Sequence, residues 1–154
     1  MSRAFIKESD DAGAEPLPDR LVSPHRNLVT PAGLAQIEAA VARLRDALSA
    51  ARAVDDRVGV AQAQRDLRYW TERRRTAEVV PPPAEGEVVR FAATVLLEHA
   101  DGTRARYQIV GEDEADPAAG KISYVSPIAR LLIGASAGDV VALGSGEAGI
   151  VEVR

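Results

Sequence analysis

Asp55 and Asp56 stand side by side between two apolar repeats. Carboxylates so placed could serve a Mg²⁺ ion, which favours carboxylate oxygens and water and often keeps open positions. A local role competes: Asp56 is placed to cap the helix that follows, where an acid is favourable by ~0.3–1 kcal/mol. The residues alone favour the cap. A second group is basic. Arg65, Arg68, Arg73, Arg74 and Arg75 crowd one segment with Tyr69 and Trp70 among them, a mixture of cations and rings that could touch single-stranded nucleic acid. Asp66 and Glu72 dilute it, and a solvated face is the competing reading. Ordinary catalytic sets are missing. There is no cysteine, and neither His25 nor His99 has a credible partner in the sequence. Gly144-Ser145-Gly146 is not followed by a helix and lysine, so it reads as a turn and not as a phosphate loop.

Two helices must carry the acids. Leu34, Ile37, Val41, Leu44 and Leu48 recur at alternating spacings of three and four, and Val60, Ala63, Leu67, Trp70, Arg74 and Ala77 repeat the pattern with one charged lapse at Arg74. The intervening stretch is too short for a crossover, so the helices fold back as an antiparallel hairpin. Leu34 then faces Ala77, Val41 faces Trp70, Leu44 faces Leu67 and Leu48 faces Ala63. The midpoint falls between Asp55 and Asp56. Thr30 before Pro31 opens the first helix, expected over about 31–54. The second is expected from about Val58 or Val60 to about Glu78. Gly59 is expected in the reversal, where positive φ would help. Arg74→Leu is expected to fill the lapse and stabilise the seam.

The chain has 154 residues and globular composition, with a formal net charge of −4. That charge is unevenly spread: residues 30–83 hold nine arginines against seven acids, and residues 84–154 hold six basic residues against eleven acids. Independent sequence-specific nucleic-acid binding is not expected from so acidic a chain. No apolar run approaches the ~20 residues of a membrane span, so a soluble protein without a membrane partner is expected. The absence of cysteine suits the cytoplasm. Residues 1–29 read as a flexible tail in which Phe5 and Ile6 are isolated apolar residues. Pro81, Pro82 and Pro83 end the hairpin and begin a linker over 81–86.

From residue 87 onward the pattern is that of strands. Val88–Leu97 is β-rich, Asp101-Gly102 is a hairpin-turn signal, and Thr103–Val110 alternates. After an acidic loop over Glu112–Asp116 come a strand over Lys121–Val125, a short helix over Pro127–Ile133 capped by Ser126, and strands over Val140–Leu143 and Gly149–Val153. The fold class is α+β: an antiparallel helical hairpin, or coiled coil, followed by a small antiparallel β domain with one short helix.

Ile109-Val110-Gly111, Glu114-Ala115-Asp116, Gly120-Lys121-Ile122-Ser123, Ser126 through Gly134, and Gly138-Asp139-Val140-Val141, in that order, resemble the GreA/GreB transcript-cleavage factors. Thr30-Pro31-Ala32-Gly33-Leu34 followed by a helical hairpin resembles the family's first half. The resemblance implies an FKBP-like C-terminal domain that grips the rim of the secondary channel of bacterial RNA polymerase, with the hairpin entering that channel. It implies that Ser126, Pro127, Ile128, Ala129 and Arg130 form the polymerase-binding patch. Of these, Ser126, Pro127 and Arg130 are the better surface candidates, because the helix's apolar residues are largely what the core needs. It also implies that tip acids, here Asp55 and Asp56, help hold a Mg²⁺ ion shared with the polymerase, with Asp56 the candidate ligand. Arg65, Arg68, Tyr69 and Arg73 are the candidate contacts to nascent RNA.

Such a protein is an accessory factor, not an enzyme, with no cofactor of its own and an expected monomeric state. Two departures matter. Gly59 stands where the family has a glutamate three residues after the first acid, and the hairpin is shorter than the usual family arm. A non-cleaving, short-armed channel regulator is therefore the alternative. An interaction module for a non-polymerase partner is a further one, and peptidyl-prolyl isomerase activity is not expected from fold analogy.

Overall fold

A computed structural model describes residues 16–84, 86, 88–144 and 146–154. Phe5 and Ile6 lie outside these residues. The first strand, β1 (Leu28–Val29), leads into helix α1 (Pro31–Ala53). Thr30 caps α1 as its residue type predicts, its Oγ1 accepting from Gly33 N at 3.0 Å, with Pro31 at the first helical position. At ~1.5 Å per residue, its 23 residues make a rod of about 35 Å. The chain reverses at Val54–Asp56, and α2 runs back over Arg57–Thr76.

The reversal is built differently from the expectation. Asp55 takes the left-handed conformation, φ 54°, which Asp tolerates better than most non-glycine residues. Gly59 instead lies within α2, three residues after the cap. There a Cβ would stand 2.3 Å from Asp56 Oδ2, so its lack of a side chain leaves room for the capping carboxylate.

The apolar seam also shifts. On α1, Ile37 and Val41 are buried as the repeat predicts and Ala40, outside the repeat, is buried too, while Leu34, Leu44 and Leu48 are half-buried. On α2 the buried residues are Ala63 and Arg73, while Arg74 is exposed. A straight helix drifts against a strict seven-residue repeat, and the acidic loop of the next domain supplies a partner for a cation at position 73. The proposed filling of a lapse by Arg74→Leu therefore has no basis in the packing.

The supposed tail is structured from Pro16 in part. Leu28 and Val29 pair in parallel with β2 (Glu78–Val79), Glu78 N donating to the Asn27 carbonyl at 2.8 Å and Val80 N to that of Val29 at 2.8 Å. This pairing ends α2 at Thr76, short of the expected Glu78.

The C-terminal domain is a five-stranded sheet of order β5-β4-β3-β7-β6, formed by β3 (Thr94–His99), β4 (Arg104–Val110), β5 (Lys121–Ser123), β6 (Val140–Leu143) and β7 (Gly146–Val153). Neighbours are antiparallel except β4 and β5, which pair in parallel, so the sheet is mixed at one edge. Residues 88–93 are not part of β3, because Ala92 has φ 68° and breaks the extension. Instead Val89 donates to the Ala135 carbonyl and accepts from Gly134 N. Helix α3 (Pro127–Leu132) is capped by Ser126 and drives Ala129 and Leu132 into a core with Val89, Val95, Leu97, Ile109, Ile122 and Ile150. Most of that core comes from alternate residues of paired strands, as a sheet with one covered face requires.

Candidate functional site

Asp56 accepts the Gly59 N–H through Oδ1 at 2.9 Å, so one of its oxygens is committed to the helix. Asp55 precedes it at the apex, flanked by the exposed Val54 and Val58. Among the described residues no group of three or more His, Asp or Glu is arranged to hold a metal ion. The tip can thus offer at most a partial ligand set to an ion held elsewhere. Below it, an open groove of about 620 Å³ separates the helices, lined by Leu44, Ala47, Ala51, Val54, Gly59 and Ala63 among others. The helices meet mainly through alanines here, so packing is looser than at the root.

The root of the hairpin is joined to the C-terminal domain by charged groups. Arg73 is 2% exposed and donates through Nε to Asp113 Oδ2 at 2.5 Å. Tyr69, one turn earlier, donates its hydroxyl to Asp113 Oδ1 at 2.6 Å. Burial, and then the hydrogen bond to Asp113, push the Tyr69 hydroxyl pKa up to about 12. Glu112 Oε2 lies 3.8 Å from Arg73 Nη2, an ion-pair distance too long for a hydrogen bond, and its other oxygen accepts from Ser23 Oγ at 3.0 Å. Glu114 is buried, accepts from Thr30 Oγ1 at 2.5 Å and meets Lys121 Nζ at 3.5 Å. A Cβ on Gly33 would stand 2.6 Å from Glu114 Oε2, so the glycine in the first turn of α1 lets that carboxylate approach the helix start. Asn27 Nδ2 closes the group by donating to the Arg73 carbonyl at 2.7 Å.

Of the four candidate RNA contacts, Arg73 is withdrawn into this joint and cannot reach a ligand. Arg65 Nε donates to Asp66 at 3.0 Å. Arg68 Nε donates to Asp19 at 2.6 Å. Tyr69 keeps a half-buried ring with the Arg20 guanidinium 3.9 Å from its centroid and Trp70 edge-on at 5.2 Å. Leu17, Asp19 and Arg20, which supply the partners of Arg68 and Tyr69, read as part of a flexible tail in the sequence.

The patch at α3 divides in two. Pro127 and Arg130 are exposed, Ser126 and Ile128 half-buried, and Ala129 is fully enclosed. Ala129 therefore belongs to the core and offers no contact surface. Around the end of the helix the exposed apolar residues are Leu131, Ile133 and Val88, the last held there by an antiparallel bridge to Ser136. The helix period leaves Leu131 outside when Ala129 and Leu132 face the core.

Asp113, Glu114 and Thr30 escaped the reading of the sequence as joint residues. Their signal was the acidic run Glu112–Glu114 set against an arginine excess on the hairpin, a complementarity of charge between the two parts of the chain.

Residues 83–153 match the family model described as "Transcription elongation factor, GreA/GreB, C-term". Among curated proteins, the transcription elongation factor GreA of Phenylobacterium zucineum is 58% identical over 57 residues, covering 36% of each chain. GreA of Alkalilimnicola ehrlichii is 49% identical over 86 residues, 51% of this chain and 54% of its own. GreA of Sphingopyxis alaskensis is 36% identical over 106 residues, 69% of this chain and 51% of its own. The chain thus spans about half the length of these last two relatives. A solved structure titled as the transcription factor Gfh1 aligns over 89% of this chain and 99% of its own, with 23% identity and a TM-score of 0.42. Among the described residues no helix is long and apolar enough to cross a membrane.

Proposed function

Since residues 83–153 of this chain belong to the GreA/GreB family of transcription elongation factors, we propose that the protein is a Gre-type accessory factor that binds bacterial RNA polymerase in the cytoplasm. The C-terminal domain docks at the rim of the secondary channel and the hairpin enters it, acting on paused or backtracked complexes. The observation that carries this reading is the family match over the C-terminal domain, to which a rod of about 35 Å is joined with Asp55 and Asp56 at its far end. The docking surface is the exposed side of α3 with Pro127, Arg130, Leu131 and Ile133, and the neighbouring Val88.

The tip chemistry follows from its two carboxylates. Asp56 holds Gly59 N–H with one oxygen, leaving the other to approach a Mg²⁺ ion held by the polymerase. Such an ion would supply an activated water for hydrolysis of RNA. Asp55 adds negative charge beside it. The hydrolysis is the polymerase's, and the factor contributes position and charge.

A second reading has a specific observation behind it. Gly59 carries no carboxylate, and its space is taken by the Asp56 side chain; on this reading the hairpin occupies the channel without stimulating cleavage, as a short-armed regulator. Stalled, backtracked polymerase complexes separate the two. Faster release of short 3′ RNA fragments, lost in Asp56→Ala, supports cleavage stimulation. Slower elongation with unchanged cleavage supports the regulator.

A further inference from the structure

Residues 17–20 lie across α2, and the chemistry with which they do so is specific. Asp19 sets its carboxylate on Arg68, Oδ1 to Nε at 2.6 Å, and the Leu17 carbonyl accepts from the same guanidinium at 3.4 Å. The next residue, Arg20, lays a planar guanidinium 3.9 Å from the Tyr69 ring centroid. One anion on an arginine and one flat group on an aromatic ring, from consecutive residues, are what a nucleotide in a single strand presents through its phosphate and base. We propose that Leu17–Arg20 is an intramolecular cover over a single-nucleotide site on α2, and that single-stranded nucleic acid displaces it, with a phosphate on Arg68 and a base on Tyr69.

The site beneath the cover does not depend on the cover for its shape. The Tyr69 hydroxyl is fixed by Asp113 and its ring edge by Trp70, so the ring stays in place when Arg20 leaves. Beside Arg68 an open groove of about 540 Å³ offers Leu67 as an apolar wall, Gln64 and Thr71 as hydrogen-bonding groups, and Glu72, whose carboxylate is held by Arg75, within the size range of small-ligand sites.

The charges are also arranged for exchange. Without the cover, Asp66 keeps Arg65 at 3.0 Å and Glu72 keeps Arg75 at 2.6 Å. Asp66 loses a second contact, Arg20 Nη1 at 3.6 Å, but keeps Arg65, whereas Arg68 gives up the Asp19 carboxylate, and the charge so released is what a phosphate would neutralise. The Arg68–Asp19 pair is itself 47% and 73% exposed, and pairs this open to solvent contribute little and are easily exchanged. Arg73 takes no part.

The test uses the full chain and fluorescein-labelled octauridylate, with binding read by fluorescence anisotropy. It needs no polymerase, so its outcome is independent of the functional reading above. The double variant Asp19→Ala/Arg20→Ala should bind ~10-fold more tightly than the unaltered chain, the order expected when a weak internal competitor is removed. In that background Arg68→Ala should lower the salt slope by about 0.7, one phosphate contact to a single strand. Tyr69→Leu should abolish the gain, whereas Tyr69→Phe, which keeps the ring, should retain most of it.

In the unaltered chain, saturating octauridylate should speed hydrogen exchange at the amides of residues 19–22. Binding no tighter in the double variant, or a gain indifferent to both Arg68→Ala and Tyr69→Leu, would overturn the proposal. So would protection of residues 19–22 by the oligonucleotide.

Discussion

Asp113 holds two successive turns of α2 at once: its Oδ2 accepts from Arg73 Nε at 2.5 Å and its Oδ1 from the Tyr69 hydroxyl at 2.6 Å. The carboxylate belongs to the loop after β4, and both donors belong to the hairpin. Together with Glu114, which accepts from Thr30 at the start of α1, this side chain ties both helices of the rod to the sheet, and with them the direction in which Asp55 and Asp56 point.

Removing that carboxylate leaves a buried cation with only the longer contact to Glu112 at 3.8 Å. Asp113→Ala is expected to cost ~3–5 kcal/mol, the range for breaking a buried pair by deleting one partner. The double variant Asp113→Ala/Arg73→Met should recover part of the loss, since the buried guanidinium is gone and only Glu112 loses a partner. Urea denaturation of the two single variants and the double variant measures the coupling. A loss below about 1 kcal/mol in Asp113→Ala would show that Arg73 finds another partner or water.

The Tyr69 hydroxyl gives a pH dependence of known sign. Its pKa is raised in the folded chain to about 12, above the ordinary value of roughly 10. The associated stability is therefore complete below about pH 10 and is lost as pH climbs from there toward about 12. Unfolding midpoints across that window should fall more steeply for the unaltered chain than for Tyr69→Phe. Equal slopes would mean that the hydroxyl is not protected.

Asp56 caps α2 through Gly59 N–H. Asp56→Ala should destabilise the hairpin by ~0.5–2 kcal/mol and Asp56→Ser by less, because serine can also cap. Thermal denaturation followed by helical circular dichroism checks this. An unchanged midpoint in Asp56→Ala would argue against the cap.

Packing in the hairpin weakens from root to tip. Ile37 is 1% exposed whereas Leu44 is half-buried beside the alanine-lined groove. Ile37→Ala should cost ~2–5 kcal/mol, and Leu44→Ala distinctly less, because its side chain leaves less apolar area to lose. Arg74→Leu, at an exposed site, should fall within about 0.5 kcal/mol of the unaltered chain. Denaturant midpoints of the three variants rank these effects, and a larger loss in Leu44→Ala than in Ile37→Ala would reverse the packing order.

Much of the architecture was legible in residue order alone. The Thr30-Pro31 cap, the α1 repeat and the strand over Val140–Leu143 appear where their residue types place them, because caps and periodicities are local properties. What escaped was long-range. Arg73 reads as a surface cation until Asp113 is brought against it across 40 residues. Leu28 and Val29 read as tail until β2 pairs with them. Gly59 reads as a turn glycine because composition marks flexibility, while only the geometry of Asp56 shows that the requirement there is space. Asp56 caps α2 as its residue type and position suggest, and the place of both acids at the end of the rod follows from the hairpin.

The measurement closest to the central claim is binding of the full chain to bacterial core RNA polymerase. Co-purification of the folded chain with the core enzyme is expected, with competition by a known channel-binding factor. Leu131→Asp/Arg130→Glu on the exposed side of α3 should weaken binding by at least ~10-fold while leaving the fold intact, the loss expected when anchors at the centre of an interface are reversed in character. A folded chain that does not bind the core enzyme, or that binds without competition and without regard to this substitution, would contradict the account.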